Sequence, residues 1–482
     1  LAWVTIDREK PIPLIRQLYT ELRAIILRGD WQAGEKLPST RKLAEELKIS
    51  RNVAVEAYEQ LYAEGYIESR QGSGYYVTAG IYLEQHARRE PVLTARETAP
   101  DSPSSDIDFR SGVPALDHFP RTAWGKIVQR VCQDAPLSAF GYGRPEGRLE
   151  LRQVISRYLY RTRGVQCNPE QIIITSGATQ ALTLIAKVLL TNGSSVVIED
   201  PITQDIQTIF KNAGAVLHPV PTDEFGLVTE RLPEPHSLSP SFVFVTPSHQ
   251  FPLGGTLPIK RRLQLIRFAR ESGCYIVEDD YDSEFRYDSP PISSLQGLAE
   301  DRVIYIGSFS KILSPGLRLG YLVLPIDLVE RYQSAKWFVD LHTPTLDQLA
   351  LALFIEEGHL EKYINRVKKL YRKRRQTLCG ALEQTFSRVM DIRILGASAG
   401  LHIVVSFAGI PFSPELLNRL KDAGVRVYPV EEHAICPGRH TDKLIIGYGN
   451  LSEQQIEEGV RRLFSVLSSA KEGDKKETAF RP

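Results

Sequence analysis

The stretch RVIYIGSFSKILSPGLRLGY, residues 302–321, decides the architecture of the larger part of this chain. It opens on an apolar run, 302–307, with the length and β-branched character of a buried strand. Lys311 stands just beyond the end of that run, flanked by Ser308 and Ser310, and Arg318 follows within one loop. In α/β sheets, ligands bind outside the carboxyl ends of the strands. A lysine so placed, with hydroxyls and an arginine nearby, suits a cofactor that carries both an aldehyde and a phosphate.

The same strand signal recurs outward in both directions, as IIIT at 172–175, SVVIED at 195–200, FVFVTP at 242–247 and CYIVEDD at 274–280. These runs alternate with helical patterns from Ile107 to about Leu467, which predicts an α/β domain over 107–467 with a largely parallel sheet. Two further strand ends carry chemistry. CYIVEDDYDSEF closes on Asp279 and Tyr281, and TSGATQAL at 175–182 is a strand-to-helix turn. There the backbone N–H groups of Gly177 and Ala178, with the Thr179 hydroxyl, can hold a phosphate at a helix N-terminus. Each fragment alone is common in loops and solvated strand ends. Together they supply what pyridoxal 5′-phosphate (PLP) needs: a lysine for the Schiff base, a carboxylate for the ring nitrogen, a phenol for the ring oxygen and donors for the phosphate.

Residues 1–78 read differently. In PIPLIRQLYTELRAIILRGDW, Leu14, Leu18, Leu22 and Ile25 recur at helical spacing. A second short helix, capped by Ser39 or Thr40, buries Leu43, Ala44 and Leu47. After the turn Lys48–Ile49–Ser50 a third helix, capped by Ser50, buries Ala54, Ala57, Tyr58 and Leu61 and ends at Gly65. Arg51 and Asn52 then occupy its exposed first turn, the part that a helix-turn-helix presents to the major groove, where Arg pairs with guanine and Asn with adenine. YIESRQGSGYYV predicts two strands around a Gly-rich tip beside Arg70, a wing able to lie along phosphates. A three-helix packing module with solvated basic residues would show the same periodicity.

Composition is that of ordinary globular protein, 42% hydrophobic and 24% charged over 482 residues, enough for two or three domains. Net charge is +1, and the first 80 residues carry 11 Lys/Arg against 11 Asp/Glu, so the motif rather than bulk charge must argue for nucleic acid. The five cysteines form no CxxC pair, so no zinc site or disulfide framework is expected. No apolar run approaches the roughly 18–20 residues that span a bilayer, and no signal peptide precedes Asp7–Lys10, so a cytoplasmic location is expected. Residues 79–106 turn polar and Pro-containing, which predicts a flexible linker, and 468–482 are expected to be a disordered tail. The basic run RVKKLYRKRR at 366–375 reads as a solvated helix face, with a second DNA surface as the alternative.

LPSTRKLAEELKISRNVAVEAYEQLYAEGYIESRQGSGYYV resembles the winged helix of the GntR regulators across residues 11–78. That resemblance implies double-stranded operator DNA as partner and marks Ser39, Arg41, Ser50, Arg51, Asn52, Arg70, Gly72 and Gly74 as contacts. Residues 107–467 resemble the fold-type I aminotransferases, which implies a mostly parallel sheet and a smaller α+β C-terminal subdomain. Carried over one by one, Lys311 is the Schiff-base lysine, Asp279 the pyridinium partner and Tyr281 the ring-oxygen partner. Ser308, Ser310, Arg318, Gly177, Ala178 and Thr179 fall around the phosphate. Tyr142, in AFGYGRPEGRLELR, matches the tyrosine that this family lends to a neighbouring subunit, implying a head-to-tail homodimer with shared sites. The fusion as a whole is similar to the MocR/GabR subfamily, with FRSGVPALDHFP, TPSHQFPLGG (which contributes His249 to the cofactor set) and VEDDYDSEFRY as its signatures.

Three departures bear on the ligand. Thr203 holds the place where such enzymes stack an aromatic ring on the cofactor. Asp205 stands where GABA-responsive members resemble one another in having an Arg, and Ile445 where aminotransferases carry the Arg that clamps an α-carboxylate. Arg439 or Lys443 are substitutes for that clamp, and drift in a pocket that no longer catalyses would leave the same traces. The expected function is a transcription regulator, not an enzyme, whose effector is PLP or a small amino compound other than GABA, with a residual transamination half-reaction open. A working aminotransferase and a PLP-free dimerisation scaffold are the rivals.

Overall fold

The structure, a computed structural model, describes residues 4, 6–81, 106–288 and 290–478, with side chains through 469. It divides into two compact units, Leu1–Ser102 and Pro103–Pro482. Most of the expected linker, residues 82–105, lies outside the described residues.

The first unit contains helices α1 (Leu14–Arg28), α2 (Thr40–Leu47) and α3 (Arg51–Ala63), then strands β1 (Ile67–Arg70) and β2 (Gly74–Val77). The apolar stripe of α1 buries Leu18, Leu22 and Ile25 against Ala54, Ala57, Tyr58 and Leu61 of α3. Ser39 and Ser50 cap the next two helices, accepting from the Lys42 and Val53 amides at 3.2 and 3.4 Å. The turn between them depends on Lys48 in the left-handed region (φ 53), the strained conformation that closes α2. The Tyr58 hydroxyl donates to the Pro38 carbonyl at 3.0 Å, pinning α3 to the segment before α2. β1 and β2 pair antiparallel as the wing, Ile67 opposite Val77, and Lys36 bridges to Tyr76 beside them.

In the second unit β3 (Ile107–Asp108) is followed by β4 (Ile172–Thr175), β5 (Ser195–Asp200), β6 (Val216–Asp223), β7 (Gly226–Leu227), β8 (Phe242–Val245), β9 (Tyr275–Asp280), β10 (Val303–Ser308) and β11 (Gly320–Val323). β4 to β11 form one sheet in the order β4-β11-β10-β9-β8-β5-β6-β7. Its centre, β10 to β6, is parallel, while β11 and β7 run antiparallel to their neighbours. Such a sheet must be covered on both faces. Helices Ala178–Leu189, Gln204–Asn212 and Val329–Asp340 cover one, burying Leu182, Phe210 and Tyr332. Leu149–Arg163, Ile259–Glu271 and Thr345–Glu356 contribute Leu159, Leu265 and Phe354 to the cores on the other.

The smaller subdomain has β12 (Ile392–Leu395), β13 (His402–Phe407), β14 (Val425–Arg426), β15 (Tyr428–Pro429) and β16 (Lys443–Gly447), of which β12-β13-β16-β15 make an antiparallel sheet. β3 pairs parallel with β14, Ile107 opposite Val425, so the start of the unit is woven into its last part. The expected disordered tail is corrected here: the final helix, Glu453–Thr478, continues through most of it. Five of the nine residues of AKEGDKKET are Lys or Glu, which propagate a helix already nucleated by packed residues despite Gly473. Residues 479–482 lie outside the described residues. The basic run 366–375 lies within helix His359–Phe386. Arg374 and Arg375 are buried, Arg366 and Arg372 donate to the His118 and Tyr287 carbonyls, and Lys373 pairs with Glu453, so much of its charge serves packing.

Candidate cofactor and DNA sites

Sheet register brings the dispersed motifs together. Thr175 lies opposite Gly320, Gly320 opposite Ser308, and Ile306 opposite Asp279, so the carboxyl ends of β4, β10 and β9 meet at one edge. Ser308 caps the short turn Phe309–Ile312 by accepting from the Ser310 amide at 3.1 Å, which sends the next side chain, Lys311, back over the sheet end. Close approach from the other side requires a glycine. At Gly112 (φ +70) a Cβ would stand 2.8 Å from Lys311 Nζ.

Lys311 opens into a cavity of about 500 Å³ whose walls include Asp279, Tyr281, Asp282, Ala178, Thr179, Thr203 and Asp205. Asp279 is only 8% exposed, and its Oδ1 has no hydrogen-bond partner among the described residues. Burial, then the charges of Asp280 and Asp282, push its carboxyl up to about 7, opposed by Lys311. An unpaired buried carboxylate is costly unless a cationic or protonated partner meets it. Burial lowers the Lys311 ammonium below its usual range against the pull of Asp282 and Asp279, which favours the neutral, nucleophilic amine. The Tyr281 hydroxyl lies 3.1 Å from His249 Nδ1, and that nitrogen is 2.9 Å from Asp282. Asp282 thus fixes the imidazole, and the imidazole fixes the phenol.

Arg318, itself left-handed (φ 50), reaches back to donate to the Ser176 carbonyl at 2.7 Å. Its guanidinium packs on Gly177, where a Cβ would come within 3.0 Å of it. Gly177 (φ +88) starts helix Ala178–Leu189, so a cation and a helix N-terminus converge on the turn. Tyr142 is elsewhere: 85% exposed, in a groove with Arg144, Arg148 and Gln153.

The effector residues divide. Thr203 and Asp205 line the cavity and Arg439 does not; its exposed side chain lies in the loop before β16, so its assignment to the cavity is corrected. Lys443 pairs with Asp442 at 2.9 Å. Ile445 is fully buried in an apolar cluster with Leu253, Val404 and Val430. Sequence reading missed Arg110, His402, Tyr428 and His433, all on the cavity wall. Arg110 stood inside a quoted signature, but nothing local distinguishes a histidine on a distant strand from a core histidine.

In the first unit Arg51 and Asn52 are exposed at the start of α3, as the third-helix reading requires. Arg41 is exposed and pairs loosely with Glu45 at 3.3 Å. At the wing Arg70 pairs with Glu68 at 2.7 Å and lies 4.2 Å over the Tyr76 ring, held beside the tip that Gly72 and Gly74 turn with positive φ. Lys36, near the same ring at 5.9 Å, is a cation the sequence reading did not include.

Comparison with known proteins accounts for both units. "Bacterial regulatory proteins, gntR family" matches residues 14–77, and "Aminotransferase class I and II" matches 104–463. The chain is 38% identical to the HTH-type transcriptional regulator YdeL of Bacillus subtilis, over 95% of its own length and 97% of that protein's. It is 33% identical to MocR of Rhizobium meliloti, named "Probable rhizopine catabolism regulatory protein", over 96% of each. This chain is a MocR-type regulator of the GntR family. Its second unit has the fold of aminotransferases: LysN, the α-aminoadipate aminotransferase of Thermus thermophilus, superposes with a TM-score of 0.70 at 30% identity, covering 76% of the regulator and 92% of LysN. The full-length match to regulators, against a match to the enzyme that omits the DNA-reading unit, makes the regulator a DNA-binding protein with an aminotransferase-like domain. No helix among the described residues is long and apolar enough to cross a membrane.

Proposed function

We propose that this regulator holds PLP on Lys311 and that PLP, or PLP together with an amino compound, sets its affinity for operator DNA. The observation that carries this is the unpartnered buried oxygen of Asp279 in the cavity that Lys311 enters. When bound, PLP supplies an aldehyde that links reversibly to primary amines. Asp279 would hold the proton of the ring nitrogen and Tyr281, steadied by His249, would donate to the ring oxygen. Ser308, Ser310, Arg318, Gly177, Ala178 and Thr179 would receive the phosphate. LysN, with its N-(5′-phosphopyridoxyl)-L-leucine complex, supports that assignment.

A ligand amine displacing Lys311 would leave the lysine free within reach of the Asp282 and Asp279 charges, a local change able to bias two conformations. Asp205 on the wall repels a carboxylate directed at it, so GABA would bind poorly and a neutral or cationic distal group would be tolerated. The apolar cluster around Ile445 speaks against a working aminotransferase. Exposed Leu137, Phe140, Tyr142 and Phe338 favour a homodimer, head to tail, in which Tyr142 reaches the phosphate of a second subunit. On operator DNA, Arg51 and Asn52 would read base edges, with Ser39, Arg41, Ser50, Arg70, Gly72 and Gly74 along the backbone. An absorbance spectrum of the purified protein tests the cofactor. A band at about 410–430 nm that borohydride removes is expected, and its absence at saturating PLP refutes the reading.

A further inference from the structure

We infer that Arg110 is the carboxylate anchor of the cavity, so that the sensed compound is an amino acid or short peptide rather than a simple amine. This rests on the proposed amine-responsive cofactor site and adds the second point of attachment.

The charges on the cavity wall are unevenly distributed. Asp205, Asp279 and Asp282 are acidic, and Lys311 would be taken up by the proposed cofactor. Burial lowers both His402, to about 3, and His433 below the usual histidine range, so neither is a cation near neutral pH. Arg110 is the one remaining permanent cation among the lining residues.

Its backbone is rigidly placed. β3 ends two residues earlier in register with β14, and the Arg110 carbonyl abuts Gly447, where a Cβ would come within 2.3 Å of that oxygen. Two residues later Gly112 meets Lys311 Nζ. The side chain is steered by a neutral partner: Nε donates to the Tyr428 hydroxyl at 3.3 Å, and that hydroxyl donates to Asp108 Oδ1 at 2.9 Å. The Tyr428 ring lies beneath, 5.8 Å from the guanidinium carbon. Among the described residues no carboxylate lies within ion-pair distance of the guanidinium and neither Nη has a hydrogen bond; Asp108 is met through the Arg110 backbone, whose N–H donates to its Oδ1 at 2.9 Å.

The comparison with other arginines of this unit is instructive. Arg163, on Asp280 at 2.7 Å, and Arg262, on the Leu257 carbonyl at 2.8 Å, use their donors to hold the fold. Those two are buried; Arg110 is exposed and keeps a fork of two terminal nitrogens open, the geometry that receives a carboxylate with two parallel bonds. With the apolar cluster at Ile445 where enzymes place their clamp, Arg110 supplies the missing charge from the segment that follows β3. A ligand would then set its amine toward Lys311, its carboxylate toward Arg110, and only neutral or cationic groups toward Asp205.

The test uses the PLP-loaded full-length protein and matched pairs: D- and L-alanine against their alaninamides, β-alanine against β-alaninamide, and alanylalanine against its amide. Affinity is read from the change in cofactor absorbance. The wild-type protein should prefer the acid in each responding pair by about tenfold or more, the scale of a charge-assisted pair. Arg110→Gln should lose that preference while retaining the cofactor band and its affinity for amides, and Arg110→Lys should retain part of it. A loaded Arg110→Gln with undiminished preference overturns the assignment and leaves the amine-effector reading intact. No response to any compound in the wild type sinks both. Should Arg110→Gln load no cofactor, Tyr428→Phe decides: weakened acids with unchanged amides support the anchor, and unchanged acids overturn it.

Discussion

The two units expose opposite strategies for handling charge. In the DNA-reading unit the chemically important side chains stand in water: Arg51 and Asn52 are exposed, and Arg41 has only a loose surface pair. In the second unit the decisive carboxylates, Asp279 and Asp282, are withdrawn from it and almost fully buried with His249, while Arg318, Asp205 and Arg110 remain exposed. An exposed cation costs nothing to hold ready for a polyanion, and its attraction is screened by salt. A buried carboxylate is expensive until its partner arrives, and that cost is what makes the cavity selective. One unit is therefore poised by access and the other by unsatisfied electrostatics.

The sharpest way to break this contrast is Lys311→Ala. It should abolish the borohydride-reducible cofactor band completely while the first unit still binds a DNA fragment carrying the operator. A surviving covalent chromophore would remove Lys311 from its role. Leu22→Ala acts on the opposite unit, opening a cavity between α1 and α3 at about 2–5 kcal/mol. Operator binding should fall with the melting of residues 1–78, and the cofactor spectrum should not change. A simultaneous loss of both would show that the units do not melt independently.

The cost of the buried carboxylate is measurable through pH. Asp279 titrates near 7 in the folded cofactor-free chain against an ordinary value of 3.8, so the folded state keeps a proton that the unfolded state has lost. Stability must then fall as pH rises from about 4 to about 7 and remain reduced above that. Asp279→Asn should raise the melting temperature of the cofactor-free protein at pH 8, with the gain shrinking toward pH 4, while weakening PLP retention. An equal shift at both pH values would assign the effect to packing instead. Smaller again is Arg51→Ala, expected to weaken specific operator binding by about 1–3 kcal/mol at fixed salt. A loss that is uniform across sequences would make Arg51 a phosphate contact.

The units also differ in how much the sequence disclosed. The helix-turn-helix lies within some fifty consecutive residues, and its periodicity alone named Leu18, Leu22, Ala54, Ala57, Tyr58 and Leu61, all buried, together with Leu14 and Leu47, which are only partly so. The cofactor cavity was legible where a strand end announced itself, as at Lys311, Asp279 and the Gly177 turn. It was not legible where tertiary pairing did the placing. Arg110 reaches the cavity because β3 pairs with a strand more than three hundred residues away, and His402 because β13 folds beside β16. Arg439 failed for the converse reason: proximity in sequence to β16 did not put it on the wall. The tail was misread because a charged, weakly apolar segment can still extend a helix begun by its packed neighbours.

The capping serines have a consequence for anyone wishing to redirect this protein to a new operator. Ser39 and Ser50 are proposed to touch DNA, yet each hydroxyl already accepts from an amide in the first turn of its helix, Lys42 and Val53 respectively. Randomising them would mix altered recognition with a folding penalty of about 1 kcal/mol apiece. Retargeting libraries should therefore vary Arg41, Arg51 and Asn52, whose side chains are exposed, and leave both serines fixed.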